Sequence, residues 1–512
     1  MPSGGLFKRL GFQSNPPFTT LNCDNVRLDD TQLSRERIGS RPGAVSLGTV
    51  GSAGEMRLVS GLRYKSGALW VDLSIAVRGA TLYYSTDAAT WTAASGSLSG
   101  TGGQISAAEV GQKLYIADGG NDIKVFDPVT TSVQTMVSTG GTPPTNCSIA
   151  ERYRDRLVLA GDADNPNQWY MSKLGDPNNW DYTDTAIDSA VSSQNSNAGE
   201  VGEPILSVMP HGDDCIIFGC LSSIWTLRSD PNFGGFIDNL SQRVGVVGKE
   251  AWTRTSENWL YFLTQDGIMT MPPGCGDIPR SMSRERIPKE LLFIPADFTF
   301  SLDSFNVSMD YDVNHRGIHL FVSSSTGSTL AQHHYWLDVN QTMTGDAANV
   351  ATFWPVSLAS DGTLDPMSAW TFERLDNTNR SSVLMASRDG DIRVFDTTVT
   401  CDEDSFIEIG PLPTSGQAGV YMDGSIDSLN IVLDKSSNPV SLKVESGEAA
   451  EDAVLNVRST AVSKTVDQAR SRTNLRYRGG SYHMKISSIS KIAWVLEAIT
   501  SVINPRGKIR FR

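Results

Sequence analysis

The sequence predicts an all-β protein: a β-propeller-like body with long insertions, followed by a C-terminal antiparallel, sandwich-like β domain. Three observations predict it. Aromatic and β-branched runs recur roughly every 40 to 55 positions between residues 58 and 400, each followed by a polar turn and a second such run. The 46 Gly and 23 Pro, with many Ser, Thr, Asn and Asp, supply the frequent turns that short strands need. Beyond residue 405 the pattern becomes a strict apolar–polar alternation, as in strands with one face buried.

Residues 1–57 are polar and turn-rich, and positions 25–37 alternate only faintly. This stretch reads as an extended N-terminal arm or assembly segment that packs on something else, such as a neighbouring subunit. Residues 58–400 hold seven candidate blades. The first pairs 69–73 with 81–84. The others pair 113–116 with 123–127, 156–159 with 168–171, 215–218 with 223–227, 259–262 with 267–270, 318–321 with 335–338, and 383–386 with 391–396. Turns such as 118–122 and 388–391 combine Gly with Asn or Asp, which tolerate positive φ, and so favour hairpins. The Trp and Tyr side chains of these runs are expected to fill the wedges between blades. Two stretches break the spacing: 182–204, read as a long polar loop, and 272–304, with a short helical candidate at 283–286. Function concentrates in such insertions.

Residues 401–512 form the second domain, with clear period-two strands at 426–434 and 440–445, continued at 482–486 and 492–497. Its end is basic. From Val457 onward twelve Lys and Arg face two acids, a net of +10, which leaves −24 for the rest of a chain of net charge −14. Such asymmetry favours electrostatic docking. Arg506, Lys508, Arg510 and Arg512 are therefore the candidate assembly contacts.

No apolar run approaches the about 18 residues that a spanning helix needs, and the first residues lack the apolar core of a signal peptide. The six cysteines (Cys23, Cys147, Cys215, Cys220, Cys275, Cys401) form no CxxC pair. Cys215 and Cys220 flank a hairpin, but all six read as free buried thiols, which suits a reducing cytoplasm.

Catalytic constellations are not visible. There is no P-loop, dinucleotide fingerprint, HExxH or GxSxG. His315, His319, His333 and His334 sit on neighbouring strands, but no Cys or spaced carboxylate completes a metal set. No catalytic, cofactor or metal residue is assigned, and the protein is not expected to be an enzyme. The run 85–91 (Ser-Thr-Asp-Ala-Ala-Thr-Trp) resembles the Asp-box of sialidase-type propellers, Ser-x-Asp-x-Gly-x-Thr-Trp, one residue short and without the Gly. In that family the box is a structural turn between the outer strands of a blade. Sialidase chemistry also needs an arginine triad and a Tyr/Glu pair, roles that Tyr311 and Glu373 cannot be given from sequence.

The segment 150–161 (Ala-Glu-Arg-Tyr-Arg-Asp-Arg-Leu-Val-Leu-Ala-Gly), then Asn165-Pro166, then 171–180 (Met-Ser-Lys-Leu-Gly-Asp-Pro-Asn-Asn-Trp), resembles a blade of bacteriophage tail proteins. That blade reads R-x-R-L-V-hydrophobic-x-G, then N-P, then S-x-x-G-D-P-x-N-F/W. Residues 219–227, 242–248 and 261–268 continue the likeness, as does Arg506-Gly507-Lys508-Ile509-Arg510. The chain is similar to the tail nozzle (tail tubular protein B) family of short-tailed phages, well over 145–270 and loosely elsewhere. The resemblance implies a virion structural protein, made in the host bacterial cytoplasm and assembled as a homohexameric ring. That ring would continue the DNA exit channel below a head-to-tail adaptor, with fibre or spike proteins attached nearby. Duplex DNA would pass through it without sequence-specific binding. An acidic lumen would keep DNA from sticking during ejection. Two other readings stay open. One is a propeller interaction scaffold. The other is a carbohydrate-binding or carbohydrate-active, receptor-degrading propeller, which requires clustered carboxylates and aromatic platforms on one propeller face, with Trp252, Trp354 and Trp370 available as platforms.

Overall fold

The computed structural model describes residues 5–8, 19–29, 36–52, 54–99, 103–120, 122–213, 215–274, 276–284, 286–287, 305–325, 333–339, 351–358, 362–373, 381–396, 403–414, 422–469 and 471–508. Among these residues, seven four-stranded antiparallel sheets follow one another, and two five-stranded sheets form a second unit.

Blade 1 runs Met56–Ser66, Leu69–Arg78, Thr81–Ser85, Thr92–Ala93, and blade 2 runs Ser106–Val110, Lys113–Ala117, Lys124–Asp127, Ser132–Thr135. Blade 3 is Ile149–Tyr153, Arg156–Ala160, Trp169–Met171, Val191–Ser192, and blade 4 is Ile205–Pro210, Cys215–Cys220, Ile224–Arg228, Phe236–Ser241. Blade 5 is Trp252–Arg254, Leu260–Thr264, Gly267–Met271, Arg280–Ser281, and blade 6 is Phe305–Asp312, Gly317–Ser324, His333–Asp338, Thr352–Val356. Blade 7 takes Pro366–Glu373, Ser381–Ser387 and Asp391–Asp396 from this part of the chain. The first strand of each blade packs beside that of the next, and Pro366–Glu373 packs on Met56–Ser66 of blade 1. Between blades 4 and 5 the link is the Ser207 hydroxyl, which donates to the Lys249 carbonyl (3.5 Å). The body is a closed seven-bladed propeller.

Each hairpin expected from sequence is the second and third strand of a blade. Leu114 faces Phe126, Val158 faces Met171, and Phe218 faces Trp225. These strands are sandwiched between neighbouring blades, so both their faces are apolar. Arg156–Ala160 and Cys215–Cys220 are buried at every position. Trp169, Trp180, Trp336 and Trp354 are fully buried among them and supply the largest apolar areas.

The N-terminal residues correct the expected boundary. Gly43–Thr49 pairs antiparallel with Asp391–Asp396 and is the fourth strand of blade 7. The ring is therefore closed by hydrogen bonds between the two ends of the propeller sequence. Gly390 (φ 97°) makes the preceding turn, where a Cβ would lie 2.0 Å from Arg78 Nη1. Arg78 donates to the carbonyls of Val50, Gly54 and Asp389, stitching blade 1 to the seam. The rest of the arm belongs to the second domain. Cys23–Asp24 edges one five-stranded sheet, with Phe406–Pro413, Ser481–Ser487, Val440–Gly447 and Lys464–Val466. Val26–Asp29 and Glu36–Ser40 complete the other, with Val495–Lys508, Met422–Leu433 and Arg472–Gly479. Buried Ile426, Leu429, Leu442, Met484 and Trp494 share one core between the sheets, as in a sandwich. The arm thus packs on its own chain. Arg27 lies 4.3 Å over the Trp336 ring of blade 6, and Arg41 donates to the Ser357 carbonyl (2.9 Å).

Four further expectations change in detail. One α-helix, Ala450–Ser459, interrupts the period-two pattern. Its Ala450, Ala453, Val454 and Val457 are buried at helical spacing. The stretch 182–204 is not a free loop: Val191–Ser192 is the outer strand of blade 3, and Ala198 and Val201 are buried. Of 272–304, Arg280–Ser281 is the outer strand of blade 5. The helical candidate is a single turn closed from Ile287 N to the Ser283 carbonyl, and 275, 285 and 288–304 lie outside the described residues. Cys23, Cys147 and Cys220 are free and buried. Cys215 is disulfide-bonded, with its partner outside the described residues, which corrects the reading of six free thiols. Cys215 and Cys220 are the two ends of one strand.

The Asp-box-like run forms the turn between the third and fourth strands of blade 1. Asp87 Oδ1 accepts from Ala89 N (2.9 Å), Thr90 N (2.8 Å) and the Ser85 hydroxyl (2.8 Å), and Ala88 takes φ 58°. The Thr90 amide, more than any other group, holds the carboxyl down to about 2. Asp87→Ala is expected to cost about 1 kcal/mol, the size of a lost local cap. Because the folded-state value is depressed, that contribution is present above the ordinary carboxylate range and fades as pH falls toward 2. The gap in melting temperature between wild type and Asp87→Ala should be full at pH 7 and shrink steadily in acid.

Candidate functional site

The inner strands bound a cavity of about 950 Å³ on the propeller axis, open at the face where those strands end. Gln104, just before the inner strand of blade 2, lies between this cavity and a second one. Its Nε2 lies 3.1 Å from Glu250 Oε2, 3.0 Å from the Val307 carbonyl of blade 6 and 3.0 Å from the Met367 carbonyl of blade 7. The Lys249 ammonium donates back to the Gln104 carbonyl (3.0 Å). This bar ties blades 2, 5, 6 and 7 together across the axis. The second cavity, of about 530 Å³, lies beyond it, and Lys249 borders both. The bar thus stands between two cavities along the axis.

The cup wall carries Glu109, Glu151, Asp310, Glu250 and Asp72, against Arg63, Lys249 and Arg254. Arg63 Nε donates to Asp72 (2.5 Å), and the Arg63 amide donates to Glu109 (3.2 Å). Thr371 Oγ1 donates to Asp310 Oδ2 (2.8 Å). Burial pushes Glu151 up to about 8 against the opposing pull of Arg254. It pushes Glu250 to about 8 and Asp310 to about 7, in each case over the opposing hydrogen bonds from nearby hydroxyls. Near neutrality the cup therefore offers carboxyl groups in both protonation states. Neither the Glu151 carboxyl nor the Arg254 guanidinium has a hydrogen-bond partner among the described residues other than, for Glu151, the adjoining backbone.

Two of the three tryptophans named as platforms are here. Trp252 is half-buried in the wall, with its Nε1 donating to the Lys249 carbonyl (2.9 Å). Trp370, from blade 7, lies against Gly61 of blade 1, where a Cβ would sit 1.7 Å from Cη2. Trp354 is fully buried in blade 6 and gives its Nε1 to Thr352 (3.0 Å), so it is a packing residue. Tyr311 is in the wall, whereas the side chain of Glu373 lies outside the described residues. The carboxylates of the cup form no local motif in the sequence, because each stands alone on a different blade. A charged residue near the end of an inner strand, repeated at Arg63, Glu109, Glu151, Arg254 and Asp310, is the pattern that exposes them.

Of the four histidines, His315 and His319 meet at Asp312 (2.8 and 4.0 Å), and His334 stands apart beside Asp365. His319 is buried between the rings of Trp336 (4.6 Å) and Phe395 (5.0 Å), and burial keeps it well below its ordinary value. His334 Nε2 lies 3.3 Å from Asp365, and His315 Nδ1 lies 2.8 Å from Asp312. Among the described residues no three His, Cys, Asp or Glu stand together as a metal site, and no helix is long and apolar enough to cross a membrane.

Of the candidate assembly contacts, Arg506 and Lys508 lie on the backbone of the last strand, Val495–Lys508. Their side chains, and all of Arg510 and Arg512, lie outside the described residues. Elsewhere in the basic region Arg458 pairs with Glu408 (2.6 Å) and Lys491 with Glu403 (3.2 Å), and three arginines stand on the edge strand Arg472–Gly479. Arg472, Asn474, Arg476 and Arg478 alternate on its exposed face, while Leu475 is buried. Arg478 pairs with Asp423 (2.6 Å), and Arg472 and Arg476 make no ion pair among the described residues.

No protein family and no curated protein matches the chain. Among solved structures it is similar to YCF48 (11% identity, 70% of this chain and 97% of that one, TM-score 0.40). It is similar also to virginiamycin B lyase from Staphylococcus aureus (9%, 69% and 98%, TM-score 0.40) and to the WD40 β-propeller domain of Doa1 (12%, 69% and 97%, TM-score 0.37). The propeller architecture itself stands on the strand order and the closed seam at Gly43–Thr49.

Proposed function

We propose that this chain is a structural, non-catalytic subunit of a short-tailed phage tail. Copies of it form a ring, or nozzle, that continues the DNA exit channel below the adaptor and helps to retain and release the genome. The observation that carries this reading is the separation of charge. Arg472 and Arg476, which make no ion pair among the described residues, stand on the exposed face of an edge strand, while the remainder of the chain is strongly acidic. Identical copies with one basic edge and an acidic body favour head-to-tail contacts, and such heterologous contacts close into rings.

The motif residues that resemble the nozzle family also have structural work. Arg156 is buried in an ion pair with Asp230, Trp180 is fully buried, and Asp176 Oδ1 accepts from Asn178 N (3.0 Å). The bar at Gln104 leaves the propeller axis too obstructed to conduct a duplex, so the conduit in this reading is the lumen between subunits.

Charge reversal tests it. Arg472→Glu with Arg476→Glu, and separately Arg506→Glu with Lys508→Glu, should shift the sedimenting species from ring to monomer. Raising salt on the wild type should act in the same direction, because exposed pairs are screened. Rings of equal stability in every variant would count against it.

A further inference from the structure

We infer that the axial cavity is a binding cup for an uncharged oligosaccharide. This goes beyond ring-building and does not depend on it. Four observations carry the inference.

The cup is of ligand size. At about 950 Å³ it stands near the top of the range of roughly 300–1,000 Å³ found for small-molecule sites. The Gln104 bar separates it from the second cavity on the axis.

The wall alternates donors and acceptors. A sugar ring needs both, at short intervals, around its hydroxyls. Arg254 on blade 5 offers a guanidinium without hydrogen bonds among the described residues, and Glu151 on blade 3, attracted to it through space, offers a carboxyl without a side-chain hydrogen bond among them. Asp310 and Glu250 are held in place by Thr371 and Gln104, each with capacity to spare. Carboxyls fixed by their own partners are pre-organised for hydroxyl groups.

The same wall carries two half-buried indoles. The Trp252 nitrogen is already satisfied by the Lys249 carbonyl, and the Trp370 ring is fixed against Gly61. Their rings are apolar surfaces at low entropic cost, suited to the C–H faces of a pyranose.

Charge decides among ligand classes. Five wall acids face three bases, one of which is paired to Asp72. Burial pushes Glu151 and Glu250 up to about 8, so near neutrality both are largely uncharged and the wall offers no excess of either sign to an ionic ligand. An uncharged saccharide accepts either protonation state of the carboxyls.

The test uses the full-length protein on a glycan array. It carries N-acetylglucosamine oligomers, maltooligosaccharides and galactose-terminated chains, beside sialylated and uronic-acid glycans. Calorimetry follows with the tightest-binding glycan. At least one uncharged glycan should bind, and Glu151→Gln, Asp310→Asn and Trp252→Ala should each weaken it tenfold or more with the melting temperature preserved. Should Trp252→Ala not fold, the two isosteric variants carry the test. Binding by no uncharged glycan, equal binding by the folded variants, or tighter binding of the acidic glycans would overturn it. Ring assembly is read independently by mass, so the two proposals fail separately.

Discussion

A chain lacking residues 1–49 is expected not to reach a folded state. Those residues supply Gly43–Thr49 to blade 7, Cys23–Asp24 to one sandwich sheet, and Val26–Asp29 and Glu36–Ser40 to the other. Leu6, Val26, Leu28 and Ile38 are buried with them. Each buried side chain of this kind contributes about 1.5–3 kcal/mol. The four together reach the whole stability of an ordinary domain, about 5–15 kcal/mol. The deletion also bares the edge of Asp391–Asp396 and opens the seam between blades 7 and 1, and bare edges aggregate. The expected result is insoluble protein, or soluble protein without a cooperative thermal transition by circular dichroism. A sharp transition near that of the full chain would show that the arm is dispensable.

The second large effect is expected at Asp230. Arg156 is fully buried, with Nε donating to Asp230 Oδ2 (2.8 Å) and Nη1 donating to the carbonyls of Ser172 and Ser189 (both 2.7 Å). Asp230 also accepts from Asn232 N and so caps the turn Pro231–Phe233. Asp230→Ala strands a buried guanidinium between blades 3 and 4 and removes that cap. Breaking one partner of a buried pair costs about 3–5 kcal/mol. Urea unfolding should show a loss of that size with an unchanged slope. Replacing both residues, Arg156→Met with Asp230→Ala, should recover part of it, since no charge is then stranded. A loss below 1 kcal/mol, the level of an exposed pair, would mean that the pair is not sealed from water.

The legible part of this fold was its driest part. The second and third strands of each blade are covered on both faces, so runs such as 215–218 and 156–159 stand out as apolar blocks. The first strands line the cup and mix polar with apolar residues, as in Ser106-Ala-Ala-Glu-Val110. The fourth strands are short and partly exposed, as at Thr92–Ala93. Neither class carries a pattern strong enough to read alone. Gly43–Thr49 was hidden for another reason: its partners are more than three hundred residues away, and nothing local to either strand encodes the pairing. In the sandwich, alternation at 426–434 and 440–445 gave the strands but not their division between two sheets. The helix Ala450–Ser459 carries a weak signal because its buried positions sit in a polar stretch. In the cup, Trp252 and Trp370 were legible as aromatic residues outside the hairpins, whereas Glu151, Glu250 and Asp310 become neighbours only when the ring closes.

Assembly is the point on which the functional account turns. Cryo-electron microscopy of the purified full-length chain at moderate salt tests it most directly. The account predicts closed rings, six-fold as the nozzle resemblance implies, with an open lumen between subunits and the obstructed propeller axes around it. Single propeller particles at every concentration, with no ring class, would contradict it.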